Sequence, residues 1–76
     1  MPRIQKVEHV DGVAEALASL PEAVTEILYQ QLTGFRDREL PTGDHVELLL
    51  IDGRAVRVNF FVDTDGTLWI ERLGIQ

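Results

Sequence analysis

Apolar and polar positions change period along this 76-residue chain. In the first half they fall at Val13, Leu17 and Leu20, then at Val24, Ile27, Leu28 and Leu32, the three-and-four spacing of a helical face. Pro21 divides the run. Ser19 followed by Glu22 has the spacing of a capping box, and Pro within a first turn loses no intrahelical hydrogen bond. The pattern predicts a short helix, a corner near Pro21 and a longer helix of about four turns. Gly34 reads as a left-handed stop. Residues 35–44, with Pro41 and Gly43, read as a connecting loop. Beyond them the period becomes two, predicting strands over His45–Leu50, Arg54–Val62 and Thr67–Leu73. Ahead of the helices, residues 3–10 alternate weakly, with Ile4 and Val10 on one side and Val7 on the other, as a short strand would.

The two turns of this meander, Ile51-Asp52-Gly53 and Thr64-Asp65-Gly66, share one chemistry. Each reads as a three-residue loop with Gly at the left-handed position, and a two-residue Asp-Gly turn is the competitor. The choice matters because a one-residue slip turns every side chain to the opposite face. Three-residue loops pair Leu48 with Val56, Val62 with Leu68 and Phe60 with Ile70. They gather Val46, Leu48, Val56, Val58, Phe60, Val62, Leu68 and Ile70 on one apolar face. The far face then carries Glu47 opposite Arg57, Asn59 opposite Glu71 and Phe61 opposite Trp69. The expected architecture is a single α+β domain spanning residues 1–76. Its helical hairpin packs on one face of a three- to four-stranded antiparallel sheet and leaves the other face uncovered.

Composition narrows the picture further. A chain of this length buries only about 60% of its unfolded surface, and without cysteine it has neither disulfide nor thiolate metal site to reinforce it. No apolar stretch of signal-peptide length follows Arg3 and Lys6. The longest apolar run, Leu48–Ile51, is far too short for a bilayer, so the expectation is a soluble cytoplasmic protein with no membrane span. The net charge of −6 repels phosphate backbones and disfavours nucleic acid as a partner. Acidic residues crowd the first third, at Glu8, Asp11, Glu15, Glu22 and Glu26. The later arginines, Arg36, Arg38, Arg54, Arg57 and Arg72, leave room for a local basic patch.

No strong catalytic motif is present, and no cofactor is implied. His9 and His45 lack ligand spacing, and Asp63-Thr64-Asp65-Gly66 lacks the bidentate Glu that completes a calcium loop. Arg57 stands alone as a charge within an apolar strand. It reads either as a cross-strand partner of Glu47, worth ~0–1 kcal/mol, or as an anion contact supported by Arg72 and Arg54. Phe61 and Trp69 read as a partner-binding surface or a covered satellite cluster rather than a base-stacking platform, which usually comes with a basic groove. The candidate binding set is Arg57, Asn59, Phe61, Trp69 and Glu71.

The order of these signals resembles the RelE/ParE-like toxins of bacterial toxin–antitoxin systems. It comprises a strand, a helical hairpin containing ALASLPEAVTEILYQQL, and a meander containing GRAVRVNFFVDTDGTLWIERLGI. The resemblance rests on the Leu20-Pro21 step, Arg57 before the apolar run Val58–Val62, the turn Asp63–Gly66 and the final strand Leu68–Gly74. It implies a small protein acting by protein–protein interaction, with an antitoxin or a target protein as partner, or a second copy as homodimer. Ribosome-dependent members present Arg and Lys with an aromatic hydroxyl or His to messenger RNA, which would give Arg57 and Arg72 a catalytic role. Phe60 stands where a Tyr is common, and the chain is short and acidic, so the ribonuclease expectation ranks last. An acidic inhibitor or adaptor that engages a basic partner is the alternative of a different class.

Overall fold

The computed structural model describes residues 1–75. Six elements follow one another: β1 Lys6–His9, α1 Asp11–Ala18, α2 Glu22–Thr33, β2 Gly43–Ile51, β3 Arg54–Val62 and β4 Thr67–Ile75. They form an α+β fold with both helices on one face of a four-stranded sheet of order β1-β4-β3-β2. Three strands form the expected antiparallel meander. β1 joins as a parallel edge strand, Lys6 beside Thr67 and His9 beside Ile70, so the sheet is mixed. A parallel pair needs a crossover, and the helical hairpin supplies it.

The helices follow the apolar spacing closely but end by different means than their sequence suggests. Val13 and Leu17 of α1 and Val24, Leu28 and Leu32 of α2 are buried, whereas Ile27 is exposed. The capping box at Ser19 does not form. Ser19 lies at the C-cap of α1, where its Oγ donates to the Ala16 carbonyl, and Pro21 is the N-cap of α2 without a side-chain cap. Thr25 Oγ1 donates to the Pro21 carbonyl instead. Gly34 is not left-handed either (φ −64°); Asp37 adopts the positive φ three residues later.

That displaced turn has a purpose visible in the packing. The stretch 35–40, polar in sequence, returns Phe35 to the core, where its ring meets Phe60 at 5.2 Å between centroids. The N-terminal segment threads beside it. Ile4 is fully buried, its N–H donates to the Arg38 carbonyl, and its carbonyl accepts from Asp37. One residue on, the Gln5 N–H donates to the Gly66 carbonyl in the β3–β4 turn. Three chain segments distant in sequence are thus tied at one end of the sheet.

The two meander turns differ. At Thr64-Asp65-Gly66 the three-residue loop forms as expected: Asp63 N–H donates to the Thr67 carbonyl, and Gly66 takes φ +87°. At Asp52-Gly53 the competing two-residue turn forms instead, with φ +50° and +77°, the positive pair of a type I′ turn. Leu48 therefore faces Arg57 across the ladder, and Glu47 faces Val58. The aliphatic face loses Val46 and Leu48, which are exposed, and gains Ile51, which is fully buried, with Leu49 partly so.

Two expectations come from these turns. Gly66 combines positive φ with close approach, since a Cβ there would lie 2.6 Å from the Arg3 carbonyl oxygen; the space around Gly53 is open. Gly66→Ala should destabilise by more than about 2 kcal/mol and Gly53→Ala by about 1–2 kcal/mol, compared by urea unfolding. Asp65 accepts the Thr67 N–H at 2.9 Å, and that bond holds its carboxyl below the ordinary 3.8. Its contribution is present above pH 3.8 and is lost as the pH falls through the depressed folded value. Asp65→Ala should lower the unfolding midpoint at neutral pH, with the difference closing below pH 3.8.

Candidate functional site

The sheet's outer face, away from the helices, can be built row by row from the registers. Phe61 lies between Asp44 and Trp69, and Trp69 in turn lies beside Glu8. Next come Val46, Asn59 and Arg72; then Leu48, Arg57 and Gly74; then Leu50 and Ala55. Phe61 and Trp69 pair as expected. Asn59 does not face Glu71, because a bulge after Asn59 shifts the register and sets Arg72 opposite it. Glu71 is the extra residue of β4, and it shares an open recess with Asn59, Arg72 and Val10.

Arg57 is not the partner of Glu47. Register puts Glu47 on the helix side, where Arg38 approaches it at 3.8 Å, and Arg38 also lies over the Phe35 ring. One Glu47 oxygen, Oε2, is buried there without a hydrogen bond. Arg57 extends alongside Gly74, where a Cβ would meet the Arg57 Cβ and Nε at 3.9 and 4.0 Å, ordinary contact distances. Among the described residues Arg57 and Arg72 form no ion pair. Arg54 lies at the β2–β3 turn, on the helix-side parity of β3, and does not support them.

The residues that sequence reasoning missed are the apolar ones. Val46, Leu48 and Leu50 stand 60–71% exposed along β2, and Phe61 and Trp69 are 36% and 38% exposed. Phe61 is the diagonal neighbour of Val46, so the column and the aromatic pair form one bent apolar patch. Its sequence signal was ambiguous. Leu48-Leu49-Leu50-Ile51 is apolar on both parities, so either register leaves aliphatic side chains outside the core.

Neither histidine lies on this face. His45 stacks on Phe60 at 5.1 Å between centroids, and its Nε2 donates to the Pro41 carbonyl at 2.7 Å. His9 sits at the rim of a crevice between β1 and the helices, floored by Val7, Val13, Leu17 and Ile70. At about 110 Å³ this crevice is well below the ~300–1,000 Å³ of a typical cofactor or drug-sized site. No cluster of three or more His, Asp or Glu among the described residues could hold a metal ion. The outer face thus offers apolar contact area and, among the described residues, two guanidinium groups outside any ion pair, with Glu71 in the recess beside Arg72.

The register behind this site has a direct test. Leu48→Ala should change stability by less than about 1 kcal/mol, whereas Ile51→Ala should cost about 2–5 kcal/mol. A three-residue first turn would reverse that order in urea unfolding.

Comparison of the chain with family models, with curated proteins and with solved structures found no match.

Proposed function

We propose that this chain is a small protein-binding module of RelE/ParE-like architecture that acts in the cytoplasm through the outer face of its sheet. The observation that carries the reading is the bent apolar patch of Val46, Leu48, Leu50, Phe61 and Trp69. With roughly 150–250 Å² for a fully exposed large side chain, the patch offers roughly 500 Å² of apolar surface. That is about the apolar share of a standard interface of ~800 Å² per partner. Arg57 and Arg72 border it without carboxylate partners among the described residues, so the complementary surface carries apolar anchors with nearby carboxylates.

The element order, one strand, two helices and a three-strand meander, is the order the toxin resemblance implies. In that reading the partner is an antitoxin segment or a target protein. A ribonuclease has less support. The resemblance calls for an aromatic hydroxyl or His beside its arginines, yet Phe60 points into the core and both histidines lie off the outer face, which leaves the Glu71 carboxylate beside Arg72.

Induced expression of the chain alone in bacteria tests the proposal. Growth should arrest, Trp69→Ala and Leu48→Glu should abolish the arrest, and Arg57→Ala should retain it, each variant being folded by circular dichroism. Arrest that requires Arg57 would favour the nuclease. Normal growth with the wild-type chain would remove the toxin reading in favour of an inhibitor or adaptor.

A further inference from the structure

The two edges of the sheet differ. β1 is four residues long and carries Lys6 and Glu8, which pair with each other at 3.2 Å. β2 runs for nine residues without Pro, Lys, Arg or a bulge in its ladder to β3. Short length, Pro, Lys and bulges are devices by which proteins protect an edge from further pairing, and β2 has none of these; its one inward carboxylate, Glu47, lies beside Arg38.

The direction of its free backbone groups follows from the turn. In a two-residue hairpin the flanking residues, Ile51 and Arg54, exchange hydrogen bonds, so Leu49, Glu47 and His45 also bond inward to β3. Leu50, Leu48, Val46 and Asp44 therefore turn their N–H and carbonyl groups to the open side. Gln31 Nε2 donates to the Leu50 carbonyl at 3.4 Å, in agreement with that parity. Among the described residues, no other backbone hydrogen bond reaches this edge from outside the sheet.

We propose that β2 pairs antiparallel with β2 of a second copy, about a two-fold axis through Val46, to form a continuous eight-stranded sheet. The strand is self-complementary in this register. His45 of each copy stands opposite Glu47 of the other, so that an imidazole, not a second carboxylate, faces each carboxylate. An axis through Glu47 would instead set two carboxylates face to face. An axis through Leu48 would require the Leu50 carbonyl to leave Gln31. Centred on Val46, the pairs Val46–Val46 and twice Asp44–Leu48 supply about six main-chain hydrogen bonds. The pairing uses the main chain of the edge, and it leaves Phe61 and Trp69 on the outer face, so it does not rest on the toxin reading.

Light scattering and sedimentation of the full chain test this directly. The wild type should weigh about twice its 8.6 kDa chain mass at micromolar concentration. Val46→Pro should be monomeric with an unchanged circular dichroism spectrum, because the Val46 N–H it removes has no partner within the chain. In this cysteine-free sequence, Val46→Cys should oxidise to a covalent dimer, since directly opposed Cα atoms lie ~5.5 Å apart, whereas Leu50→Cys should not. A wild type that stays monomeric overturns the proposal, as does a dimer that survives Val46→Pro. Cross-linking through Leu50→Cys but not Val46→Cys overturns the register. A dimer broken by Trp69→Glu and not by Val46→Pro would place self-association on the outer face, and would leave the growth assay to judge the protein-binding reading separately.

Discussion

Two consecutive residues with positive φ, Asp52 and Gly53, hold the register of β2 on β3, and the composition of the sheet's outer face depends on that choice. A strand of period two has no intermediate setting. With a two-residue turn, Ile51 and Leu49 go to the core, and Val46, Leu48 and Leu50 go outside. The type I′ backbone matches the right-handed twist of the strands it joins, and Gly supplies one of its two positive φ angles without strain. The polar residues brought to the helix side by this register are accommodated at its margin. His45 lies flat on Phe60, and Glu47 reaches Arg38. Exposure of three aliphatic side chains on an edge strand is the other half of the same arrangement.

A second constraint closes the core at the opposite end. A chain of 76 residues without disulfides must bury nearly every large apolar side chain it can reach. Ile4 and Phe35 contribute from segments outside regular structure, and backbone hydrogen bonds from Ile4 and Gln5 hold those segments to residues 37–38 and to Gly66. The approach of Arg3 to Gly66 is so close that only a residue without Cβ fits. β1 then continues from this anchored segment into its parallel pairing with β4.

The resulting molecule keeps its helices, its crevice and its histidines on one side, and Arg57, Arg72 and the bent apolar patch on the other. The bulge after Asn59 adds to this division by turning Arg72 rather than Glu71 toward Asn59, which concentrates positive charge beside Arg57 on an otherwise acidic protein. Electrostatic attraction there is local, because a Debye length of ~8 Å screens the distant carboxylates of the helices. Such a face is suited to contact and orientation more than to bond making.

The sequence by itself determined the helices, three of the four strands, the second turn and the Phe61–Trp69 pair. These rest on local signals: three-and-four spacing, alternation in VRVNF, and a Gly at the left-handed position of Thr64-Asp65-Gly66. Tertiary structure decided what those signals left degenerate. Leu48–Ile51 is apolar on both parities, so only packing of Ile51 beneath the helices could choose its face. Ser19 and Gly34 carry capping chemistry, but the chain needed α1 to end at Ser19 and the left-handed turn to fall at Asp37, where Phe35 can enter the core. Arg57 lost its expected carboxylate for the same reason: a one-residue difference in turn length, invisible in the hydrophobic pattern, moved Glu47 through the sheet.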